Sequence, residues 1–226
     1  YAGAIGDDAI GELSIETLRC EGVNVEGVVV KPGLRSQCAM VLIDSLTGER
    51  TIVWDREVQL ETGDIRREWV TQRRCLLVDG HNIPEEIRAA RWASEAGLPV
   101  VVDAEQVKEG MEELVSLCTY VIGSKDFPST ITGLEEPREA LEALHKMGPK
   151  VVGMTLGREG VIAYDGGRHL ESPGFKVQAV DTTGAGDVFH AGICYGAVQG
   201  WALQRMLDFS NALAALSCLA VGGRTG

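Results

Sequence analysis

A chain of 226 residues with 45% hydrophobic and 24% charged side chains can bury one good core with a small appendage. Its net charge of −12 argues against nucleic acid or an anionic membrane surface as a partner. No apolar run is long enough to span a bilayer, and the N-terminal residues lack the basic and apolar regions of a secretion signal.

In chain order, Gly6-Asp7-Asp8-Ala9-Ile10-Gly11 predicts the start of an amphipathic helix that ends near Gly22, with Asp7 or Asp8 as its N-cap. Residues 25–30, 37–43 and 50–54 are short β-rich runs. Ser45-Leu46-Thr47-Gly48-Glu49 joins the last two as a hairpin-type connection. From about residue 74 the texture changes. Strands over residues 75–79, 98–103, 120–122 and 150–156 alternate with helices over 84–96, 108–117 and 138–147. Pro84 suits the first turn of its helix. Asp165-Gly166-Gly167 turns a hairpin between residues 161–164 and 168–170. Residues 175–180 read as a strand, and 188–200 and 206–221 as helices.

Such alternation implies an α/β fold, a mostly parallel sheet covered by helices on both faces. Ligands in these sheets collect at the C-terminal ends of strands. Polar residues gather at those ends: Asp79-Gly80-His81-Asn82, Asp103-Ala104-Glu105, Gly123-Ser124-Lys125-Asp126 and Thr155-Leu156-Gly157. Six cysteines lie far apart with no CxxC pair, and the four histidines are equally scattered. Zinc-type spacing is absent, and reduced thiols in a cytosolic protein are the expectation.

The most informative stretch is Asp181-Thr182-Thr183-Gly184-Ala185-Gly186-Asp187, between a strand-like and a helix-like segment. Two glycines let the backbone turn tightly and approach a ligand. Amides at a helix N-terminus favour an anion. A carboxylate in the same turn makes sense if Asp187 draws the proton from a neutral hydroxyl as that oxygen attacks phosphorus. A dinucleotide fingerprint would need a third glycine where Phe189 stands, and a Walker A loop would need a Gly-Lys-Ser/Thr triplet the chain lacks.

This stretch closely resembles the C-terminal signature of the ribokinase-like (PfkB) sugar kinases. The resemblance implies a ribokinase-like fold with a small β lid over the sugar. It gives residues 1–24 and 61–226 as the nucleotide-binding core and residues 25–60 as the lid. It implies transfer of the ATP γ-phosphoryl group to a hydroxyl of a small fructose- or ribose-like sugar, with Mg²⁺ bridging the phosphates. Asp187 would be the base, and the amides of Gly184, Ala185 and Gly186 the anion hole. Thr155-Leu156-Gly157-Arg158-Glu159-Gly160 resembles the family's T-L-G-x-x-G element, so Thr155, Gly157 and Gly160 would line the nucleotide pocket, with Thr183, Ser124 and Asn211 beside them. Ser36, Cys38, His81 and Asn82 match regions where relatives touch substrate. His190, three residues after Asp187, could tune the site or simply pack. Relatives carry N-x-x-E where this chain has Ser124 and Phe127, which leaves the metal ligands unknown. The run through Ser124-Lys125-Asp126 leans toward ketohexokinase-like members.

The pattern's opening strand and its Gly-Gly pair precede what aligns with Tyr1, and its last helix follows Gly226. A polypeptide lacking them is expected to be a weak or inactive sugar kinase. A nucleoside or vitamin-alcohol acceptor and a non-catalytic binding relative are the alternatives. A homodimer formed through the lid strands is plausible, because exposed edges invite pairing.

Overall fold

The computed structural model describes residues 1–43 and 50–225, so the expected connection over residues 45–49 lies outside the described residues. The chain divides into two units, Tyr1–Trp69 and Val70–Gly226.

In the first unit, β1 (Ala2–Gly6) and β2 (Gly27–Lys31) pair in parallel, with α1 (Ala9–Cys20) between them in sequence. Asp8 is the N-cap, its backbone extended and its Oδ1 accepting the Gly11 amide at 2.9 Å. Asp7 instead accepts the Gly33 amide at 2.9 Å. The strand β1 has no counterpart in the sequence expectations: Ala2, Gly3 and Ala4 carry no β-branched signal, and its pairing with Val28, Val29 and Val30 supplies what local propensity lacks. The strands β3 (Cys38–Ile43) and β4 (Arg50–Asp55) form a separate antiparallel pair, Met40 opposite Val53 and Val41 opposite Ile52. Met40, Val41, Leu42, Ile43, Ile52, Val53 and Trp54 are all exposed.

A short helix, α2 (Arg67–Thr71), spans the division in sequence. The second unit holds a six-stranded sheet in the order β10-β9-β8-β7-β6-β5. Its strands are β5 (Leu76–Val78), β6 (Val100–Ala104), β7 (Tyr120–Gly123), β8 (Val151–Thr155), β9 (Gly160–Tyr164) and β10 (His169–Pro173). The strands β5 to β8 run parallel, while β9 and β10 are antiparallel to their neighbours. The helices are α3 (Ile83–Glu95), α4 (Met111–Leu117), α5 (Phe127–Thr132), α6 (Pro137–His145), α7 (Ala185–Val198) and α8 (Leu203–Ser217). The valine-rich strands β6 to β8 are buried almost throughout, as a parallel sheet covered on both faces requires. Val101 and Ile122 pack with Phe189 and Ile193 of α7 and Met206 and Leu207 of α8. Each such side chain stabilises the unit by about 1.5–3 kcal/mol before entropy is counted.

Two expectations need correction. Residues 175–180 form no strand. Phe175, Val177 and Val180 are exposed, and the Val180 amide donates to the Cys218 carbonyl at 2.8 Å, so the alternation of apolar residues there never meets a neighbouring strand. Helix α7 begins at Ala185 rather than 188, because Gly184 takes the left-handed conformation (φ 77°) and starts the helix inside the glycine turn.

Candidate active site

The turn 181–187 sits where an irregular segment becomes α7. Gly184 has two reasons to be glycine: its φ is positive, and a Cβ there would lie 3.1 Å from the Gly223 backbone. Asp181 holds the turn from below. Its Oδ1 accepts the Thr183 amide at 2.9 Å and its Oδ2 the Gly222 amide at 2.8 Å. The Thr183 amide, then that of Gly222, keeps the Asp181 carboxyl below the usual carboxylate range.

The expected anion hole is partly revised. The Ala185 amide donates to the Thr182 carbonyl at 3.2 Å and is therefore committed within the turn. The amides of Gly184, Gly186 and Asp187 have no hydrogen-bond partner among the described residues. A Cβ at Gly186 would meet nothing within 4 Å, so that backbone is open to a ligand. Asp187 is exposed in the first turn of α7, and no group among the described residues hydrogen-bonds its carboxylate. Unpaired amides, the positive end of a helix dipole and a free carboxylate together can bind an anion and accept a proton beside it.

Beneath this turn lies a pair that the sequence only hinted at, a buried histidine and a partly buried aspartate. Asp103, at the end of β6, faces His190 of α7, with Oδ2 3.2 Å from Nδ1. Burial pushes Asp103 up to about 6; His190 opposes that rise, while Glu105, Asp187 and Asp79 add to it. Asp103 therefore lies within electrostatic reach of the exposed Asp187.

At the next strand end, Glu86 of α3 gathers the loop after β5. Its carboxylate accepts the amides of Gly80 (2.9 Å), His81 (2.9 Å) and Asn82 (2.7 Å). Burial pushes Glu86 up to about 7 against the pull of those amides. The amides of His81 and Asn82 are thus committed, while His81 Nδ1 faces the Asp79 carbonyl at 3.0 Å. Glu86 was missed in the sequence because a glutamate near the start of a helix ordinarily reads as a solvated first-turn acid.

Thr155, Gly157 and Ser124 lie at neighbouring strand ends, as their positions suggested. Thr155 Oγ1 approaches the Gly123 carbonyl at 3.4 Å, the Ser124 amide donates to the Ala104 carbonyl at 3.0 Å, and Gly157 is exposed with open space where a Cβ would stand. Thr183 is exposed in the turn itself. Three other expected contacts are engaged within the protein. Gly160 is buried, and a Cβ there would fall 2.1 Å from the Ser172 carbonyl oxygen, so its glycine serves close packing of β9 on β10. Asn211 is buried and spends its amide nitrogen on the Ser172 carbonyl (2.8 Å) and hydroxyl (2.9 Å), tying α8 to β10. Ser36 is also buried. Its hydroxyl accepts the Gly6 amide at 2.9 Å and donates to Asp8 at 2.6 Å, which leaves no proton for a substrate. Cys38 is exposed at the start of β3.

Among the described residues no group of three histidine, cysteine or acidic side chains could hold a metal ion. Phe127, in the place of the glutamate of N-x-x-E, is buried and has no ligand atom to offer.

The model of the pfkB family of carbohydrate kinases matches residues 1–226. A protein of Archaeoglobus fulgidus described as an uncharacterized sugar kinase is 27% identical, over 100% of this chain and 93% of its own. The ketohexokinase of Mus musculus is 26% identical, over 96% of this chain and 78% of its own. The structure of Arabidopsis thaliana ribokinase complexed with ribose and ATP is 27% identical and superposes with a TM-score of 0.81, covering 98% of this chain and 76% of that one.

Proposed function

The chain belongs to the pfkB family of carbohydrate kinases, with the ribokinase-like α/β fold and a kinase's phosphotransferase activity, and we propose that its acceptor is a small sugar of the fructose or ribose type. The observation that carries the mechanism is the exposed carboxylate of Asp187, without a hydrogen-bond partner among the described residues, beside the similarly unpaired amides of Gly184, Gly186 and its own residue. Asp187 takes the proton of the acceptor hydroxyl. The hydroxyl oxygen bonds to the γ-phosphorus of ATP as the bond to the β–γ bridging oxygen breaks, and ADP leaves. The amides meet the charge that develops on the equatorial phosphoryl oxygens, a contribution of roughly 3 kcal/mol per well-aimed donor.

Thr155, Gly157, Ser124 and Thr183 are the proposed nucleotide contacts, and Cys38, His81 and Asn82 the acceptor contacts carried over from the resemblance. Magnesium, when bound, would supply positive charge that offsets the charge developing in phosphoryl transfer. The exposed apolar residues of β3 and β4 support a lid role and pairing with a second copy, and size-exclusion chromatography with light scattering tests the latter. Free cysteines support the cytoplasm as the compartment. No helix among the described residues is long and apolar enough to cross a membrane.

The decisive experiment measures ADP release from Mg-ATP against a panel including D-fructose, D-ribose and adenosine. Release that depends on a sugar supports the reading. Release with adenosine alone would move the acceptor class, and nucleotide binding without any release would remove the catalytic reading.

A further inference from the structure

His190 is buried, and each of its ring nitrogens faces a backbone carbonyl oxygen, which can only accept. Nδ1 lies 2.8 Å from the Gly186 carbonyl and 3.2 Å from Asp103 Oδ2, and Nε2 lies 2.8 Å from the Ile122 carbonyl. A neutral imidazole has one N–H and would turn a bare lone pair toward one of these oxygens. An imidazolium donates from both nitrogens and meets both carbonyls, with Asp103 as its counter-charge. The sheet register explains why the partners converge: Asp103 of β6 is paired with Ile122 of β7, so both stand at the same level of the sheet beneath α7.

We propose that His190 is held as an imidazolium, paired with Asp103, and acts as a positioning residue that fixes the first turn of α7 for phosphoryl transfer. Its Nδ1–H grips the carbonyl of Gly186, which belongs to the same peptide plane as the Asp187 amide. Orienting that plane aims an amide of the anion hole and, with it, the backbone that carries Asp187. The positive ring also sits one helical turn behind the hole, where it adds to the field of the helix N-terminus. The charged and titratable groups around the pair are Asp103 from β6, Glu105 beyond it, Asp79 beyond β5 and Asp187 on α7. The ring of Phe189 stands edge-on at 5.5 Å. A lone charge in this place would be costly, so removing one member of the pair strands the other.

The inference rests on Asp187 being the base, and its test separates the two. Nitrogen-15 histidine spectra of the unmodified protein at neutral pH should show His190 with both ring nitrogens protonated. A ring with one bare nitrogen overturns the proposal, and this reading needs neither turnover nor a variant that folds. In Asp103→Asn the doubly protonated signature should be lost. In His190→Gln, assayed with Mg-ATP and whichever of D-ribose or D-fructose supports turnover, kcat should fall about ten- to a hundredfold with the KM for ATP changed far less. A kcat within about twofold of the unmodified enzyme overturns the positioning role. Asp187→Asn should abolish ADP release yet keep the His190 signature. Full ADP release from that variant would refute the base assignment while leaving the imidazolium on its own evidence.

Discussion

Asp181 fastens the Gly222 amide with one carboxylate oxygen, 2.8 Å away, while its other oxygen holds the Thr183 amide. One side chain thus ties the entry to α7 to the loop that follows α8. Asp181→Ala should loosen the glycine turn and lower kcat/KM for ATP by roughly tenfold, measured in steady state. Because its carboxyl is held below the usual range, these bonds persist at neutral pH and weaken only on acidification through that lowered range. An unchanged kcat/KM would show that the turn keeps its shape without them.

In the proposed mechanism the carboxylate of Asp187 is the base. Asp187→Asn keeps the shape and removes the base, so kcat should drop by about 10²–10⁴ while nucleotide affinity, read by calorimetry, stays close to that of the parent. A near-parental kcat would take Asp187 out of the mechanism.

The two glycines Gly160 and Gly186 should separate stability from activity. At Gly160 (φ 102°) a methyl would collide with the Ser172 carbonyl oxygen, so Gly160→Ala should destabilise the fold by roughly 2 kcal/mol or more in urea titration. At Gly186 a methyl meets only open space, and alanine is the better helix former. Gly186→Ala should therefore leave the melting temperature unchanged or slightly raised, while kcat falls if, as proposed, the phosphoryl group approaches there.

Ser36→Ala separates a structural role for this hydroxyl from an acceptor contact. It orphans the Gly6 amide and removes the donor to Asp8, so the melting temperature should fall. The KM for the acceptor should not move, and a rise in that KM at unchanged stability would restore Ser36 to the substrate site.

Asp103 has a definite sign in the dependence of stability on pH. Its carboxyl is raised from 3.8 to about 6, so the folded protein binds this proton more tightly than the unfolded chain does. Its contribution to stability is thus greatest below about pH 4, declines as pH rises toward about 6, and reaches its full cost, of order 3 kcal/mol, above that. Relative to Asp103→Asn, the parent should lose stability over that window in urea titrations. A difference that is flat with pH would show that Asp103 is not raised. The cost fits a buried ionic pair kept for orientation rather than for stability.

Much of this was legible in the chain because it depends on neighbours in sequence. The turn 181–187 carries its chemistry within seven residues, and the strand–helix alternation from residue 74 onward follows from local periodicity. Where the signal was local but the partner distant, the reading failed. Residues 175–180 alternate like a strand yet find no strand to pair with, and β1 lacks strand propensity yet pairs with β2. Ser36 and Asn211 spend polar atoms on Asp8, Gly6 and Ser172, and Gly160 packs against the Ser172 carbonyl, partners that only folding brings near.

The residue types and their spacing determined by themselves that this chain is a mostly parallel α/β protein with a glycine turn and an acid beside it. Only the tertiary structure decided which amides of that turn stay free, and that His190 meets the Ile122 carbonyl 68 positions away. Backbone turns and helix starts are set by steric preferences within a few residues. The protonation and orientation of a buried side chain are set by whichever donors and acceptors the packed sheet places around it, and those come from anywhere in the chain.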